Sequence, residues 1–297
     1  MHVLITGGYG LLGRAVAAVL LAGGHRVHLT ARTPHGEERR GVGVSVLDVT
    51  QPHTFAGLPS DIDTVVHAAA AVSTHRNSSA DLGEFWRVNA VGTMNLLAWA
   101  EAAGVRTCVY CSTISVYAPG SGRPLTEESP TLPGGDDWAY ALSKLAGEVL
   151  TLQSAISRVF VLRFSTLFGP GMLPGRVIPR FLDRVRRGEP VDVYSQNWVG
   201  DFLYVKDAAA AVGQSVTVDQ PGGVFNIASG IASSLTDVAD AVREVAAPGA
   251  RITITTAEKT AMMGSRVDVS KARTVLGFQP RFTLRAGLAD WLAGGPA

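Results

Sequence analysis

The sequence is poor in cysteine, in lysine and in charge of either sign. Cys108 and Cys111 are its only cysteines, which excludes a disulfide scaffold and a four-thiolate zinc site. Their CxxC spacing reads as part of a strand over 107–112. Positions three apart on a strand face opposite sides, so the two thiols are not expected to meet. No other metal-ligand pattern stands out. Charged residues make up 17% of the 297 positions and hydrophobic residues 46%, against about 25% charge in an average soluble protein. Such a chain is not disordered and can bury a large core.

Basic and acidic groups nearly cancel, 26 against 25, for a net charge of +1. That argues against nucleic acid or an anionic membrane as the main partner. No apolar run reaches the ~18 residues of a membrane-spanning helix, because Arg14, Gly23 and Gly24 interrupt the first candidate. The chain starts on a strand-like run, Val3, Leu4 and Ile5, without the pattern of a signal peptide. A soluble cytoplasmic protein is therefore expected. Only 4 of the 26 basic residues are lysines, so each lysine is worth examining.

What is present is alternation. Short apolar runs at 1–6, 26–30, 44–47, 64–67, 107–112 and 159–164 read as strands. Helical periodicity separates several of them, at 11–22, 81–103 and 138–152. This spacing predicts βαβ units in a doubly wound parallel sheet. After Phe164 glycine and proline break the rhythm. Helices are expected there at 180–187 and 235–246, and short strands at 191–194 and 252–255. The arginines of 180–187 read as a solvated helix face.

Thr6-Gly7-Gly8-Tyr9-Gly10-Leu11-Leu12-Gly13 joins the first strand to the first helix. The glycines permit a tight turn and a close approach of a pyrophosphate to the backbone. The N–H groups of Leu11 and Leu12, at the positive end of the helix, favour an anion. Strand before and helix after make this a dinucleotide site, with Gly7, Gly10 and Gly13 as its turn residues. An NAD site usually carries an acid at the end of the second strand, to hold the ribose hydroxyl. Here Thr30-Ala31-Arg32 stands in that place, with no acid before Glu37. A guanidinium clamps a 2′-phosphate and a carboxylate repels it, so Arg32 favours NADP, with NAD as the alternative. Arg14 could assist. Asp48 and Val49, at the end of the third strand, are placed to face the adenine. On this basis residues 1–165 and 201–228 form the dinucleotide-binding domain, and 166–200 with 229–297 form a smaller α/β substrate domain.

Tyr140 and Lys144 share one face of a helix, one turn apart. Six tyrosines and four lysines should make about 0.08 such pairs by chance. The ammonium would favour phenolate and bring Tyr140 toward a working pKa. Ser112, Thr113 and Ser115 end the fifth strand, on the edge where open α/β sheets bind ligands.

Together these residues resemble the extended short-chain dehydrogenase/reductase family, the group of NAD(P)-dependent epimerases and dehydratases. The likeness covers nearly the whole chain. It includes the glycine loop, Val66-His67-Ala68-Ala69, Asn89, Tyr140 with Lys144, Gly169-Pro170-Gly171, Asp201-Phe202 and Phe225-Asn226-Ile227. It implies that Tyr140 exchanges the hydroxyl proton and that Thr113 holds the substrate oxygen. It also implies that Lys144 holds the nicotinamide ribose, and that Ala68, Ala69 and Asn89 line the cofactor cleft. Asn89 reads as a backbone brace rather than a catalyst. A homodimer through the helices at 81–103 and 138–152 is implied in the same way.

Departures from the family narrow the reaction. Dehydratases carry an Asp-Glu pair after the catalytic Thr, and decarboxylases an acid before Val-Tyr. This chain has Ile114 and Ser115 there, so elimination and decarboxylation are set aside. Thr166 stands where nucleotide-sugar enzymes have Asn, and Gly200 where they have Arg, which makes an ordinary nucleotide sugar doubtful. Arg176, Arg180 or Arg266 could substitute. Ser115, Thr166 and Arg176 are the candidate substrate residues. The reading is an NADP-dependent oxidoreductase acting on a ketone/alcohol pair of a small polar, natural-product or sugar-like molecule. The alternative is a nucleotide-sugar epimerase with tightly held NAD(P)+. A non-enzymatic dinucleotide sensor has no need of the Thr113, Tyr140 and Lys144 set.

Overall fold

A computed structural model describes residues 1–33, 41–72, 77–119, 124–193, 199–249, 254–256 and 266–294. Glu37 lies outside the described residues, as do Tyr194 and the start of the strand expected at 252–255. Seven parallel strands form the main sheet. They are β1 (His2–Thr6), β2 (Arg26–Ala31), β3 (Val42–Val46), β4 (Thr64–His67), β5 (Thr107–Thr113), β6 (Arg158–Phe164) and, from later in the chain, β10 (Gly223–Ile227). Their order is β10-β6-β5-β4-β1-β2-β3. This is the doubly wound Rossmann order, extended by one strand at the β6 edge.

The period of two along each strand builds two cores. Val3 and Ile5 of β1 join one, with Val16 and Leu20 of α1 (Leu11–Ala22); Leu4, between them, joins the other with Val65, Leu96 and Leu97. Each such side chain contributes about 1.5–3 kcal/mol by leaving water. β1 is buried along its whole length, as expected of a strand covered on both faces. Cys108 falls in one core and Cys111 in the other, and both are free thiols.

The helix expected over 81–103 begins earlier and is interrupted. Ser78 and Asp81 form a capping box that starts α2 (Ser79–Phe85). A π turn over Trp86–Val91 follows, and then α3 (Gly92–Ala102). The turn sits where the Thr93 hydroxyl donates to the Asn89 carbonyl at 2.6 Å, and Asn89 is buried there. Apolar periodicity does not reveal such an insertion, because it continues on either side. The helix α4 (Trp138–Leu152) packs beside α2 and α3 and over β5.

Beyond β6 the chain forms β7 (Thr166–Phe168), α5 (Val177–Arg186), β8 (Val191–Val193), β9 (Val199–Tyr204) and α6 (Val205–Thr217) before β10. β11 (Ala232–Ser234), α7 (Leu235–Ala246), β12 (Ile254–Thr256), α8 (Ser270–Leu276) and α9 (Leu284–Ala293) follow. β11, β9 and β7 make a three-stranded sheet, and β12 pairs with β8. α6 packs on α1. On α5, Arg184 pairs with Asp192 and Arg187 with Asp183. Among the described residues no helix is long and apolar enough to cross a membrane.

Candidate active site

The glycine loop lies at the carboxyl end of β1. Gly7 has φ of 67°, and a Cβ there would lie 2.8 Å from the backbone of Ala69. A Cβ on Gly13 would strike the Gly7 carbonyl and come within 2.8 Å of Gly8. The turn after β1 therefore rests directly on Ala68 and Ala69, the segment that leaves β4. Gly10 caps α1 in extended backbone with no side-chain cap. The N–H groups of Leu11 and Leu12 at that end suit an anion. This glycine cradle fits a dinucleotide pyrophosphate.

Arg32 is exposed, one residue past the end of β2. Asp48 accepts hydrogen bonds from the Thr50 amide at 2.9 Å and its hydroxyl at 2.8 Å. Burial works to raise the Asp48 pKa, but these bonds and the charges of Arg87 and Arg32 hold it below the usual value. Arg32 and Asp48 thus share one rim. Val49 is buried, and its carbonyl accepts from Asn95 at 2.9 Å. Arg14 folds back instead, its Nε donating to the Tyr9 carbonyl at 2.9 Å.

A directed chain of hydrogen bonds crosses the floor of the cleft. The Thr93 hydroxyl spends its proton on the Asn89 carbonyl, so it accepts from His67 Nε2, 2.9 Å away. His67 Nδ1 then accepts from the Thr6 hydroxyl at 2.7 Å, and Thr6 accepts from the Ala69 amide at 3.2 Å. The imidazole is neutral, with its proton on Nε2. Burial, followed by the charge of Lys144, pushes its pKa down to about 3. This has a consequence for stability. Below about pH 6.5 the unfolded chain takes a proton at this histidine, and the folded chain does not until about pH 3. Stability falls with acid through that window at about 1.4 kcal/mol per pH unit. In urea unfolding between about pH 4 and 6, His67→Gln should show a slope shallower by about that amount. Equal slopes would place the proton uptake elsewhere.

The Asn89 side chain holds Ala71 on both sides. Its Oδ1 accepts from the Ala71 amide and its Nδ2 donates to the Ala71 carbonyl, both at 2.9 Å. Nδ2 also donates to Ser143 Oγ at 2.9 Å, and Ser143 donates to the Tyr140 carbonyl at 2.7 Å. The brace read from the sequence thus reaches the tyrosine–lysine helix.

Tyr140 is half-buried on the first turn of α4, with its ring 5.9 Å from that of Phe85. Lys144, one turn along, is 2% exposed. Its Nζ lies 4.2 Å from the centre of the Tyr110 ring, and the Tyr110 hydroxyl donates to the Lys144 carbonyl at 3.2 Å. Burial lowers the Lys144 pKa to about 8, against the fields of Cys111 and Glu148. The expectation that Lys144 brings Tyr140 down is not met in the free protein. Burial and then Asp137 push the phenol up, and the cation opposing them is Arg176. Lys144 is itself desolvated and turned to the Tyr110 face, so its charge does not dominate.

Thr113 ends β5, half-buried, and its hydroxyl accepts from the Ser115 amide at 3.2 Å. Ser115 lies in the 3-10 turn Ile114–Val116. Ile114, where an acid would be needed for elimination, packs against Ala228, Val267 and Val269. Thr166 is half-buried on β7, opposite Phe202 of β9. Gly200 is buried on β9, opposite Ser233 of β11. Arg176 is the N-cap residue of α5, half-buried, close enough to Tyr140 for its charge to act there.

One group escaped the sequence reading. Ser112 of β5 and Arg163 of β6 are register partners, and both bind the carboxylate of Glu148 on α4. The signal was available: Glu148 is eight residues from Tyr140, on the same helix stripe as Lys144.

A parallel sheet with a glycine turn on its first strand, and Tyr140 and Lys144 beside its fifth, defines a short-chain dehydrogenase/reductase enzyme of the extended type. The chain belongs to the NAD dependent epimerase/dehydratase family, which matches it over residues 3–228. The UDP-N-acetyl-alpha-D-glucosaminuronate decarboxylase of Bacillus cytotoxicus is 29% identical, over 97% of this chain and 95% of its own. Among solved structures, MoeE5 in complex with UDP-glucuronic acid and NAD is 29% identical with a TM-score of 0.84, over 99% of both chains. The UDP-N-acetylglucosamine 4-epimerase from Bacillus cereus is 26% identical with a TM-score of 0.85, over 100% of this chain and 98% of its own.

Proposed function

We propose that the chain is an NADP-dependent oxidoreductase that interconverts a secondary alcohol and a ketone on a small polar, natural-product or sugar-like substrate. The observation that carries this is the stripe of α4. It holds Tyr140 and Lys144 over the end of β5, where Thr113 stands, and Asn89 ties it to the floor of the glycine-loop cleft. A bound nicotinamide dinucleotide would supply the hydride acceptor or donor. Gly7, Gly10, Leu11, Leu12 and Gly13 hold its pyrophosphate, Asp48 and Val49 its adenine end, and Ala68, Ala69 and Asn89 the wall behind it. Thr113 Oγ1 orients the substrate oxygen, and Tyr140 Oη exchanges its proton. Because the Tyr140 pKa is raised, the resting form is the phenol. The free protein is thus poised to donate a proton, as ketone reduction requires. Ser115 and Thr166 are the neutral polar contacts for substrate, and Arg176 the cationic one. The outer faces of the paired helices expose Trp86, Met94, Val149 and Leu152, which supports a homodimer through them.

The cofactor preference rests on Arg32 and is tested there. Arg32→Asp replaces a phosphate clamp by a repelling charge. A charge-assisted bond of about 1.5–3 kcal/mol corresponds to roughly ten- to hundredfold in affinity. NADPH binding, followed by calorimetry, should weaken by that factor while NADH binding changes little. A wild-type preference for NADH, or an unchanged preference in the variant, would reject NADP. Failure to bind either dinucleotide would reject the whole reading.

The full-length likeness to a 4-epimerase and to MoeE5, solved with a UDP-sugar and NAD, favours a second reading. In it the chain oxidises and re-reduces one carbon of a nucleotide sugar without net turnover of cofactor. An epimerase must retain its dinucleotide, whereas a reductase must release it each cycle. Denaturing freshly purified protein and identifying the released nucleotide by mass separates them. Stoichiometric NAD(P)+ supports the epimerase, and an empty site the reductase.

A further inference from the structure

The α4 stripe continues past Lys144 to a buried carboxylate that the chemistry above does not use. Glu148 is 1% exposed. It accepts from Arg163 Nε at 3.0 and 3.1 Å, from Arg163 Nη2 at 2.7 Å, and from the Ser112 hydroxyl. The donors come from adjacent strands: Ser112 precedes Thr113 on β5, and Arg163 is its register partner on β6. The guanidinium also lies 4.7 Å from the Tyr117 ring, just beyond the 3-10 turn, and the Tyr117 hydroxyl donates to Asn226 of β10 at 2.7 Å. One carboxylate therefore ties the catalytic helix to β5 and β6, and through Arg163 and Tyr117 on to β10, at the point where the candidate oxygen-binding threonine leaves the sheet.

A buried ion pair is weak evidence for stability, since desolvation offsets most of its attraction. Apolar side chains would pack this site equally well. What they could not provide is a fixed anion one helical turn from Lys144. The groups acting on that lysine are Tyr110 and Cys111 of β5, His67 of β4, and Glu148 of its own helix. Glu148, ion-paired with Arg163 at 2.7 Å, is the one carboxylate among them, while the His67 imidazole is neutral and burial keeps the Tyr110 phenol and the Cys111 thiol protonated.

We propose that Glu148 is a positioning residue, clamped by Arg163 and Ser112, whose buried charge keeps Lys144 cationic and in place against the Tyr110 ring. The proposal rests on the reading of Lys144 given above. Its measurement is nevertheless independent of turnover. With four lysines in the chain, selective 13C labelling of lysine gives four ε-carbon signals, and that of Lys144 is the one lost in Lys144→Met.

The wild-type Lys144 signal should titrate at about 8. In Glu148→Gln its midpoint should fall by about one pH unit, and the alkaline limb of turnover should fall with it. Glu148→Asp, which keeps the charge, should restore most of the midpoint. Glu148→Gln leaves Arg163 buried and unpaired and could fail to fold. The double variant Glu148→Gln/Arg163→Met removes both charges at similar volume and is expected to fold, with the midpoint still lowered. A Lys144 midpoint unmoved in the folded double variant overturns the proposal, whatever happens to activity. If the midpoint moves while Lys144→Met retains full turnover, Glu148 sets the lysine's charge and the catalytic reading of Lys144 is what fails.

Discussion

Tyr140→Phe is expected to lower turnover at least a hundredfold while nicotinamide dinucleotide binding stays within about twofold of wild type. The substitution removes the one exchangeable proton of the side chain and almost no volume. General acid-base groups contribute about 10²–10⁴ in rate, and two of the described neighbours are otherwise engaged. Lys144 faces the Tyr110 ring, and Thr113 accepts from the Ser115 amide. The ring keeps its contact with Phe85, so folding and the glycine cradle should be unaffected. Steady-state turnover combined with dinucleotide titration checks this. Near-normal turnover in Tyr140→Phe would remove Tyr140 from the chemistry.

Much of this site could be read from the sequence, because its components are local. The glycine turn needs a strand end and a helix start, and both lie within 13 residues. α1, β4, α4 and α7 begin and end where periodicity placed them. The tyrosine–lysine pair needs only one turn of helix. What escaped depends on contacts across the sheet. The Glu148 clamp joins residues whose proximity follows from the β5/β6 register, and the His67 chain joins β1, β4 and α3. The π turn at Asn89 adds a residue without changing composition. β7, β9 and β11 stand outside the strand–helix alternation, in the part of the chain that glycine and proline interrupt, so no neighbouring rhythm marks them. The upward shift of Tyr140 in the free protein is likewise not local. Spacing gives the partner one turn away, but desolvation and Asp137 are properties of the assembled cleft.

Gly147 is a residue whose importance only packing reveals, and Gly147→Ala should be among the most damaging small substitutions in the chain. It lies on α4 between Lys144 and Glu148, where the helix presses on β5. A methyl at this position would fall inside the contact distance of the Tyr110 hydroxyl, 2.7 Å from Tyr110 Cζ and 2.9 Å from the Asn89 carbonyl. Neither neighbour can yield cheaply. Tyr110 is fully buried and donates to the Lys144 carbonyl, and the Asn89 carbonyl is backbone that accepts from Thr93. Overpacking of this kind costs about 1–3 kcal/mol, partly offset by the better helix propensity of Ala, about 1 kcal/mol over Gly. The net loss of stability should therefore be modest. Activity should suffer more, because relief comes most easily from moving α4 away from β5. That motion carries Tyr140 and Lys144 with it, and a displacement near 1 Å can cost about a hundredfold in rate. The expected result is a folded protein, unfolding within a few degrees of wild type, with turnover reduced about a hundredfold. Adding Tyr110→Phe removes the hydroxyl that collides and should recover part of the loss, although the ring carbon remains close. If Gly147→Ala is fully active, α4 and β5 are not rigidly packed at the site. The same result would remove the basis for treating Lys144 and Glu148 as fixed charges.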